Sequence, residues 1–127
     1  MRNRLLAEQW LGRARSNLSR AAMGKTSPDV VYEDLCFDCQ QAAEKSLKAF
    51  MVLNNLVPSA THSLSLLTET LEKNGIDIPG DVKGAVGLSY YAVTTRYPGH
   101  YEPIEEPEFL QALSMAKQVV AWVESRF

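Results

Sequence analysis

The middle of the chain carries the stretch that decides its fold, residues 36–49, which read CFDCQQAAEKSLKA. We predict a helix that begins at the cap Ser27, takes Pro28 as its first helical residue and ends at about Leu53. Its apolar residues recur at three- and four-residue steps and cover a wide arc; they are Val31, Leu35, Cys36, Cys39, Ala42, Ala43, Leu47, Ala49, Phe50 and Met51. We therefore expect this helix to be central, with neighbours on more than one side.

Four more helices are predicted around it, at residues 3–23, 63–73, 80–94 and 106–126, each with an apolar face of helical period. Stop and turn signals separate these segments; they are Gly24, Asn74, Gly75, Pro98, Gly99 and Pro103. No segment of the sequence alternates with the period of a strand. Because the connections are short, we predict an all-α fold of five helices, one of them short, packed antiparallel around one core.

Length and composition bound the class of protein. The 127 residues suit a single domain over residues 1–127, and 46% hydrophobic against 22% charged residues excludes a disordered chain. Two cysteines are too few for a disulfide scaffold. The N-terminus lacks the apolar stretch of a signal peptide, and Pro58 interrupts the longest charge-free run, residues 49–68. We expect a cytoplasmic, soluble protein without a membrane partner.

The charges are unevenly distributed along the chain. Residues 1–27 hold six basic residues and one acidic residue, whereas residues 28–127 hold seven basic and fourteen acidic residues. One interpretation is a basic first helix that forms ion pairs with an acidic body, each pair contributing little to stability. The other interpretation is a surface that attracts phosphate groups. The net charge of −2 favours the first.

Several motifs follow one another in a characteristic order. They are Trp10 in the first helix, the stretch 36–49, His62 followed by Leu64, Tyr91, and Arg96-Tyr97-Pro98-Gly99. In this order they resemble the HEPN domain family, over about residues 10–123. The resemblance implies a four-helix up-and-down bundle with an additional short helix, usually a homodimer. Members of this family are often encoded beside a minimal nucleotidyltransferase, and many are RNA-cleaving toxins or nucleotide-binding modules.

The resemblance implies one of two functions, and a structural dimer that binds no ligand is the third alternative. In the first, the protein is a binding module for nucleotide or RNA, but not DNA, that acts with a separately encoded minimal nucleotidyltransferase and needs no cofactor. In the second, it is a metal-independent ribonuclease toxin of a toxin–antitoxin pair, with Arg96 and His100 as catalytic residues across a dimer. Gene neighbourhood would discriminate a paired system from a solitary protein.

Arg96 and His100 have the chemistry that phosphodiester cleavage without a metal requires. A general base must accept the proton of the 2′-hydroxyl, and a cation must offset the charge at phosphorus. His and Arg supply these two properties. Only three residues separate Arg96 from His100, fewer than in the family motif, so enzymatic activity is left open. The alternative is an Arg96 that pairs with an acidic neighbour and a His100 that is merely exposed.

A ligand is expected at the loop after the fourth helix, where Arg96, Tyr97 and Tyr101 offer a cation and two rings that can stack on a base. A second protomer would double the positive charge there. His62 is a further ligand-binding candidate, and its alternative role is a cap or a hydrogen bond that fixes its own loop. In a related branch the partner modifies a Tyr two residues beyond the motif His. Tyr101 follows His100 directly and does not match.

Two further features of the central helix have competing interpretations. Cys36 and Cys39 have the C-x-x-C spacing of some zinc and redox sites, but they lie inside a helix, so we predict small buried hydrophobic residues and no metal site. The polar residues beside them are Gln40, Gln41, Glu44 and Lys45. They form either a solvated face or a polar group near a dimer seam or a ligand groove.

Overall fold

The structure is a computed structural model that describes residues 2–127, with the backbone alone for Arg2. Its elements are α1 (Arg2–Ala22), α2 (Tyr32–Leu53), α3 (Leu64–Lys73), α4 (Gly80–Gly84), a 3₁₀ helix (Ala85–Ala92) and α5 (Glu106–Glu124). Within residues 2–127 there is no strand, which confirms the predicted all-α fold. Met1, the first residue of the predicted domain, lies outside the described part.

α2 lies at the centre of the bundle, as its wide apolar arc predicts. It contacts α1, α3, α5 and the 3₁₀ helix, and its buried residues occur on every side of the helix. Leu47 is one of its fully buried side chains. Burying a leucine of this kind contributes about 1.5–3 kcal/mol to folding. The long helices α1 and α5 pack on α2, so this one helix organises the whole core.

The two cysteines of α2 are part of this core. Cys36 and Cys39 are free thiols with no exposed surface. Burial raises the pKa of both thiols to about 12, and the charges of Glu108 and Glu33 act in the same direction on Cys36. Both side chains are therefore protonated at neutral pH and pack as small apolar groups, as the sequence predicts.

The predicted start of α2 is wrong by several residues. Ser27 does not cap the helix; its hydroxyl accepts a hydrogen bond from the backbone N–H of Asp29 at 3.2 Å and closes a separate turn. The helix begins only at Tyr32, after Val31 in an extended conformation with φ −104° and ψ 151°. The β-branched pair Val30 and Val31 favours extended backbone, and this preference prevails over the cap signal at Ser27.

The segment predicted as one helix over residues 80–94 is divided. The α-helix ends at Gly84, and a 3₁₀ helix continues from Ala85 to Ala92. Side chains three residues apart lie on one line of a 3₁₀ helix. Ala85, Leu88 and Tyr91 have this spacing and all three are buried. Packing of that line against the core therefore favours the tighter helix.

The remaining helix boundaries agree closely with the prediction. The hydroxyl of Ser63 caps α3 by accepting a hydrogen bond from the Leu66 N–H at 3.2 Å. Gly75, with φ 84°, follows the end of α3 in the left-handed conformation. α5 carries Pro107 in its first turn. No helix in the described part of the chain is long and apolar enough to cross a membrane.

Candidate functional site

The loop between the 3₁₀ helix and α5 is anchored at both ends of its Arg96–His100 segment. Thr95 is 1% exposed, and its backbone carbonyl accepts a hydrogen bond from the Tyr101 hydroxyl at 3.4 Å. The same hydroxyl lies 3.4 Å from a carboxylate oxygen of Glu33, at the start of α2. These contacts hold the loop against α2, although their length makes each of them weak.

Arg96 extends from this loop into solvent. Its guanidinium carbon lies 4.9 Å from the centre of the Phe37 ring and 5.7 Å from the centre of the Tyr97 ring. Each such contact contributes about 0.5–1 kcal/mol at an exposed site. Among the described residues, no carboxylate lies within 4.0 Å of the Arg96 guanidinium, so the ion pair with an acidic neighbour is absent there. The two rings orient the cation and leave its charge uncompensated.

The other candidates on this loop have different surroundings. Tyr97 is 68% exposed and His100 is also exposed, so both side chains are accessible beside Arg96. Tyr101 is only half exposed because its hydroxyl is held by the loop anchor. Partial loss of solvent and the nearby Glu33 carboxylate raise the pKa of Tyr101. Arg96, Tyr97 and His100 thus form an exposed cluster, whereas Tyr101 contacts the loop and α2 through its hydroxyl group.

His62 belongs to a separate cluster centred on Glu44. One carboxylate oxygen of Glu44 lies 2.9 Å from the Nδ1 atom of His62 and accepts a hydrogen bond from Gln40 at 2.9 Å. The other oxygen accepts a hydrogen bond from the Lys48 ammonium at 3.0 Å. No hydrogen bond or ion pair within residues 2–127 connects His62 to Arg96. The predicted ligand residues therefore divide between two places.

The ionisation of Glu44 is set by two opposing effects. Burial is the largest effect and by itself raises the pKa of the carboxyl group. Hydrogen bonds from Gln40, His62 and Lys48, with the positive charge of Lys48, outweigh burial and hold the pKa below its usual value. Glu44 is therefore a buried carboxylate that remains charged. The burial of Glu44 was not predicted from the sequence, although a Glu and a Lys four residues apart on an apolar arc are a signal for such a pair.

A second polar cluster joins α1 to α2. Asp38 accepts hydrogen bonds from Asn17 at 2.9 Å and from the Arg20 guanidinium at 2.6 Å. The Asn17 side-chain oxygen in turn accepts a hydrogen bond from the Lys45 ammonium at 2.8 Å.

Arg15, also on the exposed face of α1, pairs with Glu124 of α5 at 2.6 Å. Pairing of the basic first helix with the body is thus observed for Arg15 and Arg20.

An open groove lies between α1 and α2 beside this cluster. Its volume is about 850 Å³, and its lining residues are Leu6, Gln9, Trp10, Gly12, Arg13 and Lys45. The Lys48 ammonium lies 5.8 Å from the centre of the Trp10 ring. Trp10 has the spacing of the apolar face of α1, and its ring is half-buried at the edge of this concave surface.

Metal-ligand geometry does not occur in the part of the chain that the structure describes. No group of three or more His, Cys, Asp or Glu side chains is arranged to hold a metal ion among residues 2–127. His62 and His100 belong to different clusters, and both thiols lie in the core.

Known proteins resemble this chain in sequence and in fold. A family model described as HEPN domain matches residues 7–126. The crystal structure of TT1696 from Thermus thermophilus is 33% identical, with a TM-score of 0.83, over 95% of this chain and 98% of that one. The crystal structure of ST0689, an archaeal HEPN homologue, is 25% identical, with a TM-score of 0.75, over 94% and 96% of the two chains. No curated protein sequence matches this chain.

Proposed function

The chain belongs to the HEPN domain family, and on that premise we propose that it is a binding module for nucleotide or RNA. In this proposal it acts as a homodimer together with a separately encoded minimal nucleotidyltransferase. The ligand binds at the loop of Arg96, Tyr97 and His100. The partner supplies the nucleotide chemistry, and this protein supplies a cationic, aromatic surface that holds the substrate.

The observation that carries this proposal is the uncompensated charge of Arg96 between two rings. An Arg guanidinium can donate two parallel hydrogen bonds to a phosphate group. The contacts with Phe37 and Tyr97 limit the rotamers of Arg96, so less side-chain entropy is lost on binding. The exposed Tyr97 ring offers a stacking surface for a base, and such stacking contributes about 1–3 kcal/mol per base.

Exposed apolar side chains near this loop support the homodimer. Tyr90 is 47% exposed and Val93 is 69% exposed, and they precede Arg96 by six and three residues. Contact between two copies at this surface would cover these side chains and place the two Arg96 side chains at one interface. Sedimentation is expected to show a dimer at micromolar concentration and a monomer for Val93→Asp. A wild-type monomer would contradict the assembly.

Binding is tested with Arg96→Ala and a matched arginine. Arg126 is the control because it is exposed and its guanidinium lies 5.7 Å from the centre of the Trp122 ring, an environment similar to that of Arg96. We expect Arg96→Ala to weaken binding of a short single-stranded RNA about tenfold or more, and Arg126→Ala to leave it unchanged. Equal affinity for both variants and wild type would overturn the assignment.

Thermal stability separates ligand binding from a structural role of Arg96. Arg96 has no carboxylate partner among the described residues and contacts only the Phe37 and Tyr97 rings. Its removal is therefore expected to lower the melting temperature by only a few degrees, roughly the loss of these two contacts. If Arg96 instead holds the loop in place, the melting temperature of Arg96→Ala falls further and affinity falls only in proportion.

A ribonuclease is the second candidate function, because Arg96 and His100 are both exposed on the same short loop. In this mechanism His100 accepts the 2′-hydroxyl proton, the 2′-oxygen attacks phosphorus to form a 2′,3′-cyclic phosphate, and the 5′-oxygen leaves with a proton taken from water. Arg96 offsets the charge on the phosphoryl oxygens. The test is expression of wild type and of the double change Arg96→Ala, His100→Ala. If the wild type and the double variant both degrade RNA, Arg96 and His100 are not the catalytic residues.

A further inference from the structure

We infer that the groove between α1 and α2 is a second binding site, for a small phosphorylated molecule that carries a flat ring. This site is separate from the Arg96 loop and does not depend on the proposed function. Trp10 would contact the ring, and Arg13 and Lys45 would bind the phosphate groups.

The shape of the groove fits one small molecule. Its volume of about 850 Å³ lies within the usual range for small-molecule sites. On α1 its lining residues extend from Leu6 to Arg13, which at 1.5 Å per residue is about 10 Å along the helix. This length suits one ring and a short phosphate chain better than it suits a long peptide helix.

The charges of the groove favour an anion. Within the described residues, no carboxylate lies within 4.0 Å of the Arg13 guanidinium or the Lys45 ammonium. Lys45 donates one hydrogen bond, to Asn17, and an ammonium has three donors. By contrast, Arg15 and Arg20 of the same region each have a carboxylate partner. Positive charge is therefore left uncompensated at Arg13 and Lys45, where the surface is concave.

Partial burial adds to the tendency of Lys45 to bind an anion. Burial is the first cause that lowers the pKa of Lys45, and the positive charge of Arg13 is the second. Together with Arg20, both effects disfavour the charged ammonium and outweigh the nearby carboxylates of Glu44 and Asp38, which act in the opposite direction. A phosphate group between Arg13 and Lys45 would relieve this repulsion and form charge-assisted hydrogen bonds.

The apolar end of the groove favours a ring. Trp10 is half-buried and Leu6 is exposed, so both offer apolar surface to a ligand. Lys48 lies 5.8 Å from the centre of the Trp10 ring but is already paired with Glu44, so it holds the indole in place rather than competing for phosphate. An indole is a good stacking partner for a planar base.

The fluorescence of Trp10 allows a direct binding experiment with ADP as the probe. The chain has two tryptophans, so the measurement uses a Trp122→Phe background in which Trp10 is the only one. The indole N–H of Trp122 is buried without a hydrogen-bond partner, so its loss removes no hydrogen bond from the fold. We expect ADP to change the Trp10 fluorescence saturably.

Gly12 offers a way to block the groove without unfolding the protein. A Cβ added at Gly12 meets no atom within 4 Å, and leucine is a better helix former than glycine. Gly12→Leu is therefore expected to fold and to occupy part of the groove. Ser16→Leu is the matched control, because Ser16 is exposed on α1 but does not line the groove.

The affinity for ADP is expected to fall about tenfold or more in Gly12→Leu and in Lys45→Gln, and to stay unchanged in Ser16→Leu. Pyrophosphate alone and adenosine alone should each bind more weakly than ADP, because each reaches only one end of the groove. Wild-type affinity in Gly12→Leu would overturn the inference. If pyrophosphate binds as tightly as ADP, the groove binds phosphate groups only and the inferred contact between Trp10 and a ring is wrong.

The Arg96→Ala variant distinguishes binding in the groove from binding at the Arg96 loop. We expect Arg96→Ala to leave the ADP-dependent change in Trp10 fluorescence intact, since Arg96 does not line the groove. If Arg96→Ala abolishes the signal while Gly12→Leu preserves it, the groove site is excluded and the loop site is supported. If Gly12→Leu and Arg96→Ala both keep the full change in Trp10 fluorescence, the groove site is excluded and the signal gives no support to the loop site.

Discussion

The carboxylate of Glu44 lies 3.0 Å from the ammonium of Lys48, one turn further along α2, and only 5% and 7% of the two side chains are exposed. Gln40 and His62 occupy the second carboxylate oxygen, so the buried negative charge is fully hydrogen-bonded. An ion pair in this position is stable only while it is complete, because either charge alone lacks solvent. The centre of the bundle therefore depends on a polar cluster as well as on apolar packing.

Loss of the Glu44 charge is expected to destabilise the protein strongly. Glu44→Gln leaves the Lys48 ammonium buried without a counter-charge, and we expect a loss of about 3–5 kcal/mol in the free energy of unfolding. Urea denaturation at neutral pH, followed by circular dichroism, measures this. Glu72→Gln is the control, because Glu72 pairs with Lys83 at the surface and its loss should change stability by at most about 1 kcal/mol. Equal effects in both variants would contradict the buried pair.

The same cluster makes stability depend on pH in the acid range. The folded-state pKa of Glu44 is below its ordinary value of 4.5, so the unfolded chain binds a proton first as the pH falls. The contribution of Glu44 is present above that ordinary value and is lost as the pH falls through the lower, folded-state pKa. The stability difference between wild type and Glu44→Gln should therefore shrink on acidification. A constant difference across that range would show that the carboxylate is not stabilised.

The cysteines are expected to be unreactive while the protein is folded. Cys36 and Cys39 have no exposed surface, and their thiol pKa of about 12 leaves almost no thiolate at neutral pH. Iodoacetamide should label neither residue in buffer and both in concentrated urea, as read by mass spectrometry. Rapid labelling of either thiol in the folded protein would mean that α2 opens locally.

Two glycines should respond to alanine with opposite signs. Gly75, with φ 84°, lies after α3, and its conformation lets the Ile76 N–H donate to the Leu71 carbonyl at 3.2 Å. Gly75→Ala is expected to lower the free energy of unfolding by about 1–2 kcal/mol, the penalty of left-handed backbone. Gly12 lies inside α1, where alanine should raise it by about 1 kcal/mol. Chemical denaturation of both variants measures these changes. If both variants change the free energy of unfolding in the same direction, the backbone conformation given for one of the two glycines is wrong.

Most helices of this protein could be predicted from the sequence because their signals are local. The cap at Ser63, the stop at Asn74 and Gly75 and the proline in the first turn of α5 act within a few residues of the helix they delimit. The central position of α2 followed from its composition, since an arc that wide needs neighbours on several sides. Even the proximity of Arg96, Tyr97 and His100 was available, because they are close in sequence.

The sequence by itself thus determined the helices, the all-α fold and the residues of the Arg96 loop. Only the tertiary structure decided the 3₁₀ helix, the later start of α2, and the surroundings of each polar side chain. Glu44 meets His62 across 18 residues of chain, and Lys45 meets Asn17 across 28. Such contacts depend on how α1, α2 and the loop before α3 pack. Periodicity and caps report only local backbone preference and burial, so they cannot show which distant partner satisfies a buried charge.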